Sequence, residues 1–72
     1  MQKVEVKIPG GHKFEVEFEK KCDNEIEYIK IKKVWFRGSE FNPEGFYARV
    51  WDSEYIDDLE TVLENLVSAK LN

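Results

Sequence analysis

Reactive side chains are scarce in this chain: its 72 residues include one cysteine, Cys22, and one histidine, His12. A lone cysteine excludes an internal disulfide, and the chain reads as cytoplasmic. One His and one Cys provide neither paired ligand spacing nor a closed tetrahedral set, so no metal and no cofactor is expected. Nor do they suit a nucleophile and base: they fall in successive turns of an antiparallel meander, at opposite ends of the sheet. Gly10-Gly11 is too short to cradle a phosphate and opens a strand rather than a helix. The chain is therefore expected to be non-enzymatic. Long hydrophobic runs are missing too. The longest hold three residues, as in Val34-Trp35-Phe36, which cannot span a membrane. The start, Met1-Gln2-Lys3-Val4-Glu5, lacks the continuous apolar stretch of a signal peptide. An excess of positive charge is also lacking: the net charge is −4 and the pI about 5.0. A nucleic-acid-binding domain would be expected to be basic.

What is present is the composition of a small globular domain, 42% hydrophobic and 36% charged. At this length one domain is expected, close to the lower limit for folding without a staple. The negative charge is unevenly placed. Residues 1–51 carry ten basic and nine acidic side chains. Residues 52–72 carry Asp52, Glu54, Asp57, Asp58, Glu60 and Glu64 against Lys70 alone.

Hydrophobic periodicity supplies the fold. Val4-Val6-Ile8 and Phe14-Val16-Phe18 alternate with polar residues, the period of half-buried antiparallel strands. Their even phase predicts strands over about 2–8 and 13–19, joined by the three-residue loop Gly10-Gly11-His12, with Ile8 facing Phe14 and Val4 facing Phe18. Lys20-Lys21-Cys22-Asp23-Asn24 reads as a polar turn. A third strand is expected over 25–36. Its apolar phase changes from Ile26 and Tyr28 to Ile29 and Ile31, then back to Val34 and Phe36. This implies either a bulge near Tyr28-Ile29 or two strands meeting at a bend. After a long loop over 37–45, a fourth strand is expected over 46–51. From Ser53 the period becomes 3.6: Tyr55, Ile56, Leu59, Val62, Leu63, Leu66 and Val67 share one arc, predicting a helix over 53–70 with Asp52 or Ser53 as its N-cap. The expected product is an α+β domain, a four-stranded antiparallel meander (ββββα) with a C-terminal amphipathic helix on one face. Its short, charged edges allow a monomer or an edge-strand homodimer.

Two surfaces could carry a function. Asp57, Glu60 and Glu64 line an acidic stripe on the expected helix, flanked by Glu54 and Asp58 and suited to a basic protein surface or simply to solvent. On the sheet, Tyr47, Arg49 and Trp51 should point away from the helix if Phe46, Ala48 and Val50 face it, with Trp35 or Phe36 beside them. Ten aromatics exceed what one thin core should hold. Either some lie exposed as interface anchors, or the long loop closes a second small core around Phe41. Aromatics interleaved with Lys30 and Lys32 also fit a single-stranded nucleic-acid platform, although Glu15, Glu17 and Glu19 could neutralise those lysines.

The stretch Gly45-Phe46-Tyr47-Ala48-Arg49-Val50-Trp51 followed by Asp58-Leu59-Glu60-Thr61-Val62-Leu63-Glu64 resembles the strand-then-helix pattern of HicB-type antitoxins over a third of the chain. The proline- and glycine-rich link of those proteins is absent. In size, acidity and lack of catalytic residues the chain is similar in type to small phage inhibitors such as anti-CRISPR proteins. The reading carried forward is a protein-binding module that inhibits or regulates a larger machine. The alternatives are a single-stranded nucleic-acid-binding domain, and an antitoxin or accessory subunit of an assembly.

Overall fold

The computed structural model describes residues 2–50 and 55–71. Within them lie β1 (Gln2–Lys7), β2 (Lys13–Asp23), β3 (Ile26–Phe36), β4 (Ser39–Glu40), β5 (Tyr47–Arg49), β6 (Ile56–Asp58) and α1 (Leu59–Leu71). Strands β1 to β4 form one antiparallel sheet in sequence order, and α1 packs against it, giving a small α+β domain.

The alternating residues of β1 and β2 meet as expected in face but not in register. Val4 pairs with Val16 and Val6 with Phe14, two residues away from the predicted alignment. A slip of two keeps every side chain on its face, so the apolar pattern cannot distinguish the two registers. The connection decides. Ile8 N–H donates to the His12 carbonyl at 2.9 Å and Gly11 N–H to the Ile8 carbonyl at 3.1 Å, with Gly10 and Gly11 at positive φ. This places Glu5 against Glu15 and Lys7 against Lys13 on the outer face. Lys3 relieves the first clash by pairing diagonally with Glu15 at 3.3 Å.

The expected polar turn over 20–24 is mostly strand. Strand β2 runs on to Asp23, and Asn24 and Glu25 alone reverse the chain, with φ of 49° and 67°. Both central residues left-handed is the type I′ geometry that matches strand twist, and asparagine tolerates it far better than glutamate. Replacing Glu25 by glycine should therefore stabilise the fold by about 1 kcal/mol, raising Tm by roughly 4–8 °C in calorimetry. An unchanged or lower Tm would refute this turn.

The bulge lies further along β3 than expected. Glu17 pairs with Lys33 and Phe18 with Ile31, which leaves Lys32 as the extra residue. Before it Ile29 and Ile31 face the helix; after it Val34 and Phe36 do, and Trp35 is turned to the other face. Ile26 and Tyr28 do not face the core at all and are exposed.

The fourth strand of the sheet is Ser39–Glu40, paired with Trp35 and Phe36, and not the predicted 46–51. That segment instead supplies β5, which pairs with β6 in a separate two-stranded ribbon. The helix accordingly starts at Leu59 rather than 53, because Ile56 and its neighbours are spent on the ribbon. Asp58 takes the position before the helix, and Leu59 N–H is satisfied by the Phe46 carbonyl at 2.9 Å. The expected caps Asp52 and Ser53 lie outside the described residues.

The core gathers Val6, Ile8, Phe14, Val16, Phe18 and Val34 from the sheet, Ala48 from the ribbon, and Leu59, Val62, Leu63 and Val67 from the helix. A second apolar layer closes under the long loop. Phe41 N–H donates to the Val34 carbonyl at 2.7 Å. Its ring lies 5.6 Å from Phe14, 6.1 Å from Phe36 and 5.0 Å from Phe46. The turn 43–46 that delivers Phe46 needs glycine at Gly45, where φ is 84°, and is closed by Phe46 N–H to the Pro43 carbonyl.

Candidate partner-binding surfaces

The acidic stripe predicted on one helix is divided. Glu60 and Glu64 do lie on α1, one turn apart. Asp57 and Asp58 belong to β6, where Asp57 Oδ1 accepts the Asp58 backbone N–H at 2.8 Å. Glu54 lies outside the described residues. Asp58, Glu60 and Glu64 nevertheless line one hollow, joined there by Glu44 from the long loop. Glu44 carries no signal in the sequence, since only the turn 43–46 brings it to the helix. Burial, reinforced by the charge of Glu60, pushes the Glu64 carboxyl above its ordinary value.

The ribbon carries the aromatic and basic candidates. Ala48 is buried, so its neighbours Tyr47 and Arg49 point outward, as the alternation predicted. Across the ladder Tyr47 faces Asp58 and Arg49 faces Ile56. Tyr47 and Ile56 are each 68% exposed, Tyr55 beside them 78%, and Phe46 53% despite its contact with Phe41. Tyr55 and Ile56 were missed as surface residues because their spacing also fits the helical arc. The detectable signal was Asp57-Asp58, a pair that favours a cap over a helix interior. Trp51 lies outside the described residues.

Trp35 is a candidate of a different kind. It sits on the outer sheet face, half-buried beneath Lys3, whose Nζ lies 4.2 Å from the ring centroid. Phe36 is turned inward against Phe14 at 5.1 Å, with Arg37 over its ring. On the outer face Lys3 pairs with Glu15, Lys21 and Lys32 with Glu19, and Lys33 with Glu40, while Lys7, Lys13 and Lys30 alternate with these pairs and with Glu5 and Glu17. The pairing with Lys21 and the nearby Lys32 holds the Glu19 carboxyl below its ordinary value. The outer face is thus a lattice of mixed charge and not a basic track.

His12 and Cys22 stand at opposite ends of β2. Ten residues of strand separate them by about 30 Å, too far for a shared proton within one molecule. Among the described residues no helix is long and apolar enough to cross a membrane. No family model, curated protein or solved structure matches this chain.

Proposed function

We propose that this chain is a non-enzymatic protein-binding module, an inhibitor or regulator that works by covering the surface of a larger machine. One observation carries this reading. Four large apolar side chains, Tyr47 and Ile56 on the β5–β6 ribbon and Phe46 and Tyr55 beside it, are exposed close together. Leaving them in water forgoes roughly 1.5–3 kcal/mol each, a heavy cost for so small a domain. Aromatic side chains beside an arginine are also the types that anchor protein interfaces. Glu60, Glu64, Asp58 and Glu44 add an acidic flank that would orient a basic partner. The nucleic-acid reading draws less support, because Lys3, Lys21, Lys32 and Lys33 are already paired with carboxylates.

The test is affinity capture from the native host, with the retained proteins identified by mass spectrometry. Tyr47→Ser with Ile56→Ser should cut retention of the principal partner by roughly 30-fold, as loss of an interface anchor does, with an unaltered circular dichroism spectrum. Undiminished retention would reject the ribbon as the contact face. Turnover that disappears when His12 or Cys22 is replaced would reject the non-enzymatic reading.

A further inference from the structure

Strand β3 has one flank that the described residues partner over only part of its length. Hydrogen-bond direction alternates along an antiparallel ladder. The bond from Ile8 to His12 sets the phase, so Phe14, Val16 and Phe18 bond toward β1, and Glu19, Lys21 and Asp23 bond toward β3. Opposite those three stand Lys30, Tyr28 and Ile26. Glu27, Ile29 and Ile31 therefore turn their N–H and C=O groups away from β2. Strand β4 covers only Trp35 and Phe36, and Phe41 reaches Val34. Between 27 and 31 no described strand completes the ladder.

Helix α1 runs beside this flank and makes it a groove. Its floor is Glu27, Ile29 and Ile31; its wall is Glu60, Glu64, Asn65 and Ser68. The end near the start of the helix continues to Glu44, and the other end to Lys20, Tyr28 and Leu71. No ion pair engages Glu27, Glu60 or Glu64 among the described residues. Of the lysines at the groove, Lys30 belongs to the opposite face of the sheet, Lys32 and Lys33 are paired with Glu19 and Glu40, and Lys20 stands beyond the acidic half.

We propose that this flank of β3, walled by α1, is a strand-addition site for an extended segment of a partner protein with lysine or arginine at alternate positions. About five residues would fit, their main chain bonding to Glu27, Ile29 and Ile31 and every second side chain turned toward Glu60 and Glu64. Main-chain bonds would give modest affinity, and the acidic wall would give selectivity. Burial first, and the charge of Glu60 second, raise the Glu64 carboxyl; an arriving cation would offset the second of these. The site shares Glu60 and Glu64 with the acidic flank of the ribbon surface, but uses none of the apolar residues there and does not depend on them.

The experiment titrates the isotope-labelled full chain with an end-blocked peptide of alternating lysine and valine, and with its glutamate–valine counterpart. The lysine peptide should bind at least about tenfold more tightly, with shifted and exchange-protected amides at Glu27, Ile29 and Ile31. Glu60→Lys with Glu64→Lys should reverse the preference. Glu27→Pro removes a donor that faces solvent and no bond to β2, so binding should fall about tenfold while Tm stays within a few degrees. Tyr47→Ser should bind the peptide as the parent does, which separates this site from the ribbon. Equal or absent binding of both peptides would overturn the proposal. So would shifts confined to β1 or the ribbon, insensitivity to Glu27→Pro, or a dimer formed through residues 27–31.

Discussion

Leu63→Ala should leave much of the chain unfolded at room temperature. Leu63 is fully buried, in one core cluster with the fully buried Phe18, Val16, Val34 and Val67. Truncating such a leucine costs about 2–5 kcal/mol, the removed contacts plus the cavity left behind. A single core in a domain of this size supplies only on the order of 3–5 kcal/mol in total. The substitution thus removes most of what holds α1 to the sheet. Urea titration followed by circular dichroism should show a shallow or absent folded baseline. Leu71→Ala, at a position 37% exposed near the helix end, should cost little. If Leu63→Ala melts within about 5 °C of the parent, the helix is not seated as described.

Phe41→Ala should be nearly as damaging, and in a more local way. The ring joins Phe14 and Phe36 of the sheet to Phe46 before the ribbon. Each such pair adds about 0.5–1.5 kcal/mol beyond burial, so a loss of roughly 2–4 kcal/mol is expected. Phe46 would lose its aromatic neighbour, and the ribbon its anchorage on the loop side. Hydrogen exchange should therefore accelerate at Ala48 and Asp57 more than at Val4 and Val16. Uniform acceleration across the molecule would show that the loop is part of the main cooperative unit and not a separate clasp.

Much of the fold was legible because polar and apolar residues alternate cleanly where one face is buried. Val4, Val6, Phe14, Val16 and Phe18 could hardly face elsewhere. The errors arose where periodicity is degenerate. A two-residue slip between β1 and β2 preserves the pattern, and only the loop hydrogen bonds fix the register. The bulge was signalled by Lys32-Lys33, the one polar pair between two apolar phases of β3, more clearly than by Tyr28-Ile29. Tyr55 and Ile56 suit a helix and a strand equally well over so short a window. Pairing with Tyr47–Arg49, a tertiary event, settles the matter.

The candidate surfaces follow the same division. Tyr47 and Arg49 were readable from Ala48 between them, and Glu60 and Glu64 from their helical spacing. The exposure of Trp35 hinged on the bulge and could not be assigned before it was placed. Asp57 and Asp58 left the stripe because the helix begins after them. The open flank of β3 was invisible, since it depends on how little of the chain returns to form β4.

Lys70 Nζ donates to the Glu5 carbonyl at 2.6 Å, across 65 residues of sequence. By the alternation of the ladder, Glu5 is one of the β1 residues whose backbone turns outward, so the lysine shields a carbonyl that could otherwise recruit a foreign strand. The order of synthesis gives this contact a temporal side. Strand β1 emerges from the ribosome before its guard, roughly 3–13 s earlier at ordinary translation speeds. Through that interval a nascent chain would display a carbonyl that the finished molecule covers.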